Sequence, residues 1–166
     1  MRPVYQPISI SITGNQAGKI VNKKSSGFTL IELMIVVIVV AVLLTVALPA
    51  YQDSVLRSNR TAAKGTLMNV LSREEQYFIN NKVYTVNLSS IGFPASYYID
   101  NQGDEVAAGD SVYKIELINL STTFAGVQAI PQNVQVKDGN CATLSLSRTG
   151  AKTASGKFST DPSQCW

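Results

Sequence analysis

The chain has 166 residues, with 14 Lys and Arg against 11 Asp and Glu, two cysteines and no histidine. The lack of histidine removes imidazole acid–base chemistry and the usual hydrolase relay, and two cysteines alone make a poor zinc set. The formal charge of +3 is uneven: Arg2, Lys19, Lys23 and Lys24 all precede Phe28, leaving ten basic against eleven acidic side chains after it. The basic balance therefore reads as a topology signal and not as a nucleic-acid footprint.

Residues 1–27 carry Pro3, Pro7 and Gly14 and little hydrophobicity. They end in Lys23-Lys24-Ser25-Ser26-Gly27, followed by Phe28-Thr29-Leu30-Ile31-Glu32-Leu33 and an almost unbroken apolar run to Leu48. As a helix rising about 1.5 Å per residue, the stretch from Phe28 to Tyr51 is long enough to cross a hydrocarbon core of about 30 Å. Lysines precede it and no basic residue follows until Arg57, a bias that holds the N-terminus in the cytoplasm and sends the C-terminal part across. A secretory signal would have a shorter core; Val46-Ala47-Leu48-Pro49-Ala50 imitates its cleavage site only weakly. A plain signal anchor accounts for all of this except Glu32, because a carboxylate in hydrocarbon costs several kcal/mol unless it is paired or reaches the interface.

The string Gly27-Phe28-Thr29-Leu30-Ile31-Glu32-Leu33 resembles the class III signal of type IV pilins. The resemblance implies a prepilin peptidase that cuts between Gly27 and Phe28 and methylates the new amino terminus of Phe28. It also implies a role in assembly for Glu32, whose charge would offset the N-terminal ammonium inside an apolar helix bundle. The leader of residues 1–27 is longer than most in that family. Pro49 stands where the family carries a helix-kinking proline; it removes one backbone bond and crowds the Thr45 carbonyl, a turn that the Thr45 hydroxyl can partly re-satisfy. The resulting organisation is a cleaved leader over 1–27, a transmembrane and filament-core helix over 28–51, and a periplasmic or extracellular globular domain over 52–166.

Beyond the apolar run, Val55, Ala62, Ala63, Leu67, Val70, Leu71 and Phe78 form a stripe along one side of a continuing helix, which leaves Arg57, Arg60, Lys64, Arg73 and Glu74 to the other sides. One helix is predicted from Phe28 to Asn80, with Asn80-Asn81 ending it. Lys82 to about Ala95 reads as a loop. Tyr77-Phe78, Asn80-Asn81 and Tyr84-Thr85 resemble the end of the long helix in pilins and pseudopilins, with the two helical aromatics as core anchors.

Strands are predicted over Ser96–Asp100, Val112–Leu120, Phe124–Ile130 and Cys141–Ser147, separated by turns at Asp100-Asn101-Gln102-Gly103, Glu105–Asp110, Asp138-Gly139-Asn140 and Thr149-Gly150. The predicted fold class is α+β, one long N-terminal helix packed on a three- or four-stranded antiparallel sheet, which resembles the type IV pilin fold. The pilin resemblance implies a disulfide between Cys141 and Cys165, closing a Gly/Ser/Thr/Lys-rich loop with a chain-entropy gain of roughly 3 kcal/mol. The ending from Cys141 to Cys165-Trp166 looks most like the PilE-like minor pilins.

No catalytic constellation and no cofactor site is readable. Asp100, Asp104, Glu105 and Asp110 lack calcium-loop spacing, and Asn87-Leu-Ser and Asn119-Leu-Ser match a glycosylation sequon that bacteria rarely use. The resemblance implies a minor subunit of a type IV pilus, inserted first as a single-pass inner-membrane precursor, that supports pilus assembly, twitching motility, adhesion or DNA uptake. Its implied partners are other major and minor pilins, the prepilin peptidase and the inner-membrane assembly platform. A major pilin or a type II secretion pseudopilin shares the same junction and helix. A binding alternative is a competence pilin that holds DNA through Lys137, Arg148, Lys152 and Lys157, although Asp138 and Asp161 balance those charges and aromatic partners are few.

Overall fold

The computed structural model describes residues 27–166. The leader reading of residues 1–26 lies outside the described residues. Two compact units are present, one ending at Ala41 and one from Val42 to Trp166.

Helix α1 spans Leu30–Asn81. Thr29 starts it: its carbonyl accepts the Leu33 N–H at 3.2 Å, the first bond of the helical ladder, and its hydroxyl accepts the Glu32 N–H at 3.2 Å, which satisfies one otherwise orphaned donor of the first turn. Pro49 lies inside an uninterrupted helical assignment. Thr45 turns its hydroxyl to the Val42 carbonyl at 2.7 Å, so it serves a carbonyl one turn back and not its own, which is the one Pro49 cannot bond. At the C-terminus the Asn81 side chain donates to the Tyr77 carbonyl at 2.9 Å. Lys82 then takes a left-handed φ of 62° while its N–H reaches the Phe78 carbonyl at 2.7 Å, the arrangement that commonly stops a helix.

The sheet has five strands in sequence order, all antiparallel: β1 Tyr97–Ile99, β2 Tyr113–Leu120, β3 Thr123–Pro131, β4 Leu144–Ser147 and β5 Lys152–Ala154. The α+β class and the helix-on-sheet arrangement agree with the sequence reading; the fifth strand exceeds it. Short 3-10 turns at Leu88–Ile91 and Asn133–Lys137 interrupt stretches that the sequence reads as loop or leaves unassigned. The fourth strand begins at Leu144 and not at Cys141, because Ala142 occupies a left-handed φ of 47° that a strand cannot continue through.

The core of the second unit lies between one face of α1 and one face of the sheet. Ala63, Leu67 and Val70 pack with Tyr97 and Ile99, Tyr113 and Ile115, Val127 and Ala129, and Leu144 and Leu146. The alternation that buries Tyr113 and Ile115 places Lys114 and Glu116 on the outer face, where they pair at 2.6 Å. Each sheet edge receives a flanking hydrogen bond. Val106 donates its N–H to the Tyr98 carbonyl at 3.0 Å beside β1, and the Trp166 indole donates to the Thr153 carbonyl at 3.0 Å beside β5.

Candidate functional site

In the apolar half of α1 nothing is covered. Phe28 is 82% exposed, the helix from Leu30 to Leu48 contributes no buried residue, and Glu32 is exposed among them. The segment is long and apolar enough to span a membrane, by length and composition. Gly27 and Phe28 precede the helix, and Pro49 lies inside it.

Two of the helix residues that the sequence places on the outer sides are buried. Arg60 is 8% exposed and Glu74 is fully buried. The reason for Arg60 is Asp138, which takes its guanidinium at two points, 2.6 Å and 2.9 Å. Asp138 also accepts the Cys141 N–H at 3.2 Å and the Gln135 amide at 3.2 Å. Gln135 in turn accepts from Asn59 at 2.9 Å and donates to the Tyr113 hydroxyl at 2.9 Å. Burial, followed by the Asp138 charge, pushes the Tyr113 phenol above its ordinary range. This network fastens the Asn133–Cys141 segment to α1. Asp138 is therefore spent inside and does not offset the surface lysines, which corrects the charge balance expected from the sequence.

Cys141 and Cys165 are both buried and joined by a disulfide. The bridge closes a loop that contains β4, β5 and the Pro162–Gln164 turn. Gly156 is pressed against the Asn140 backbone, with no room for a Cβ.

Lys137, Arg148, Lys152 and Lys157 are all exposed. Arg148 lays its guanidinium over the Tyr84 ring at 5.2 Å, and Tyr84 stacks on Phe78 at 4.5 Å. Lys152 sits over the Trp166 ring at 5.4 Å. Each is thus an aromatic-backed cation, which corrects the expectation of few aromatic partners. Lys137 ends the 3-10 turn that Asp138 anchors, and the Lys157 N–H donates to the Gly139 carbonyl at 3.1 Å.

The sequence reading missed the contribution of the helix. Asp53, Arg57, Arg60 and Lys64 line a groove of about 420 Å³ with Asn140, Phe158 and Gln164. Lys64 is half-buried; burial first, then the charges of Arg60 and Lys152, lowers its pKa. Among the described residues the ion pairs are Arg60–Asp138 and Lys114–Glu116, so Arg57, Lys64 and Lys152 meet no carboxylate within bonding distance. A spacing of four residues placing Arg60 and Lys64 on one helix side was the available signal. By helical rise, the Tyr84–Phe78 platform lies about 20 Å further along α1 than Lys64.

A long helix with an apolar, uncovered first part, a second part packed on an antiparallel meander and a C-terminal disulfide loop define a type IV pilin. The model for the prokaryotic N-terminal methylation motif matches residues 22–48. The model described as "Type IV minor pilin ComP, DNA uptake sequence receptor" matches residues 49–145, more than half of the chain, and the chain belongs to that family. Similar curated proteins include the type IV major pilin protein PilE of Neisseria gonorrhoeae, 39% identical over 75 residues, covering 45% of each chain. The type IV major pilin protein PilA of Myxococcus xanthus is 35% identical over 111 residues, which cover 66% of this chain and 50% of PilA. The fimbrial protein EcpC of Eikenella corrodens is 37% identical over 70 residues, 42% of this chain and 46% of that protein. The chain thus spans about half the length of the curated relatives it matches or less.

Proposed function

We propose that this minor pilin is a DNA-capturing subunit of a type IV pilus. It is made as a single-pass inner-membrane precursor with a cytoplasmic N-terminus, cut between Gly27 and Phe28 and methylated at Phe28. Glu32 offsets the new ammonium as the apolar helix, with Pro49 near its end, enters the filament core beside other major and minor pilins. The prepilin peptidase and the inner-membrane assembly platform act on it before that step.

The DNA-facing surface is the aromatic-backed set Arg148 and Lys152, extended by Lys137 and Lys157 and by Arg57 and Lys64 of the helix. The observation that carries this reading is that Lys64 on the groove wall is repelled by the Lys152 charge while neither cation has a carboxylate within bonding distance, on a domain whose family model is described as a DNA uptake sequence receptor. Cations held this way favour phosphate oxygens, and contacts of that type make affinity depend steeply on salt. Twitching motility and adhesion follow from the pilus itself.

The test is duplex binding by the detergent-solubilised chain across a salt series. The expected result is binding at low salt that weakens steeply as salt rises and is lost when Lys152 and Lys157 are both reversed to Glu. No binding at low salt would remove the DNA reading and leave a purely structural minor pilin.

A further inference from the structure

Glu74 is fully buried on the inner side of α1. One of its carboxyl oxygens accepts the Thr85 backbone N–H at 3.2 Å, and the other, Oε1, has no hydrogen-bond partner. A carboxylate ion in that position is short of donors, while a neutral carboxyl needs fewer. Burial is accordingly the largest influence and raises its pKa to about 7, the Thr85 N–H pulls it down, and the Glu75 charge adds to the rise. Glu75, the next residue, accepts the Tyr84 hydroxyl with both oxygens at 3.0 and 3.2 Å. Two successive carboxyls of the helix therefore hold two successive residues of the segment Lys82–Asn87, one by its backbone and one by its side chain. Tyr84 is the ring that lies between Phe78 and the Arg148 guanidinium.

We propose that Glu74 and Glu75 are positioning residues for Arg148: neutral Glu74 holds the Lys82–Asn87 segment closed on α1, Glu75 orients Tyr84, and ionisation of Glu74 loosens the platform on which Arg148 rests. The DNA consequence rests on the reading of Arg148 as a phosphate contact. The groups facing Glu74 are Glu75 on its own helix and the Thr85 amide and Tyr84 phenol on the segment; Arg148 faces them from the β4–β5 turn through Tyr84. On β2, Lys114 and Glu116 pair with each other on the outer face.

Opening the segment returns Glu74 to its ordinary value of 4.5, below the value near 7 that it has when closed. The open state therefore gains as pH rises between those two values, and the gain levels off above the higher one. For this pair of values the opening constant rises about 40-fold from pH 5 to pH 7 and less than about twofold from pH 7 to pH 8. Acid closes the platform and alkali loosens it.

The experiment is hydrogen exchange at the Thr85 amide of the detergent-solubilised full chain, corrected for intrinsic rate, at pH 5, 6, 7 and 8, paired with duplex affinity at constant ionic strength. The wild-type amide is expected to lose protection by the factors above, and the Glu74→Gln chain, which keeps an acceptor for Thr85, to hold it constant. Duplex affinity is expected to weaken over the same range in the wild type, beyond any change in Glu74→Gln, and Tyr84→Leu to remove that difference. Flat Thr85 protection in the wild type, or the same titration in Glu74→Gln, overturns the inference even if DNA binds. Protection that titrates as described in a chain that binds no duplex at any pH upholds the closure at Glu74 and overturns the DNA reading.

Discussion

Arg60 and Asp138 lie 78 positions apart and meet in a two-point ion pair with side-chain exposures of 10% and 1%. The pair joins the helix to the segment that carries the first cysteine, since the same carboxylate accepts the Cys141 N–H. Removing Asp138 leaves a buried guanidinium with no counter-charge and unpairs Cys141 as well. Asp138→Ala is therefore expected to lose about 3 to 5 kcal/mol, read as a lower denaturant midpoint of the detergent-solubilised chain. The double variant Arg60→Met with Asp138→Leu should recover much of the loss, which separates an uncompensated charge from poorer packing.

The disulfide loop is held from both ends. Replacing Cys141 and Cys165 together by Ser is expected to cost roughly 3 kcal/mol for a loop with a separation of 24 residues. The loss should be accompanied by release of Trp166 from Thr153 and Lys152, visible as a change in tryptophan fluorescence. A double variant with unchanged thermal unfolding would contradict this.

Gly156 makes a sharper probe of the same loop. A Cβ there collides with the Asn140 carbonyl and with the Cys141 nitrogen, which are backbone atoms and cannot rotate away. Gly156→Ala is expected to destabilise by about 1 to 3 kcal/mol, whereas Gly139→Ala, with open space around it, should change stability little. Comparing the two denaturation midpoints checks the claim.

Much of this was legible in the sequence, and what was not has a common cause. The period-two alternation of Val112–Leu120 and the apolar run of Phe124–Ile130 found β2 and β3 within about a residue at each end, because a strand with one covered face shows that pattern directly. Strand β5 escaped because Lys152 and Thr153 are exposed and Ala154 alone is buried, so three residues carry no alternation. The helix stripe named Ala63, Leu67 and Val70 correctly but sent Arg60 and Glu74 outward, since periodicity ranks residues by polarity and cannot know that Asp138 or Thr85 will arrive as partners. The basic loop residues were found as charges; the Tyr84 and Trp166 rings beneath two of them, and the reach of the Lys152 charge to Lys64, are tertiary facts.

Tyr113 predicts an alkaline limit. Its phenol is raised above the ordinary value of 10.0 by burial and by the Asp138 charge, so the fold holds that proton where the unfolded chain releases it. Stability gained from keeping the phenol neutral is fully present below pH 10 and is lost as pH rises past it. Tyr113→Phe is expected to cost a constant amount for the missing Gln135 bond and to flatten the decline between about pH 10 and pH 11, measured by urea titration.

The last prediction sorts the cations by role. Lys64 lines the groove and is repelled by the Lys152 charge, and neither has a carboxylate within bonding distance, whereas Lys114 is paired with Glu116 on the outer face of the sheet. Taking one cation away from a phosphate should lower the slope of log affinity against log salt by about 1. Lys64→Met and Lys152→Met are each expected to reduce the slope by about that amount and to weaken all duplexes alike, while Lys114→Met leaves slope and affinity unchanged. Because Lys64 is half-buried and repelled by its neighbours, Lys64→Met should also hold or raise the denaturant midpoint of the free chain. A lower slope for Lys64→Met together with a midpoint held or raised would mark the helix side of the groove as part of the proposed DNA surface, and equal slopes for Lys64→Met and Lys114→Met would remove it from that surface.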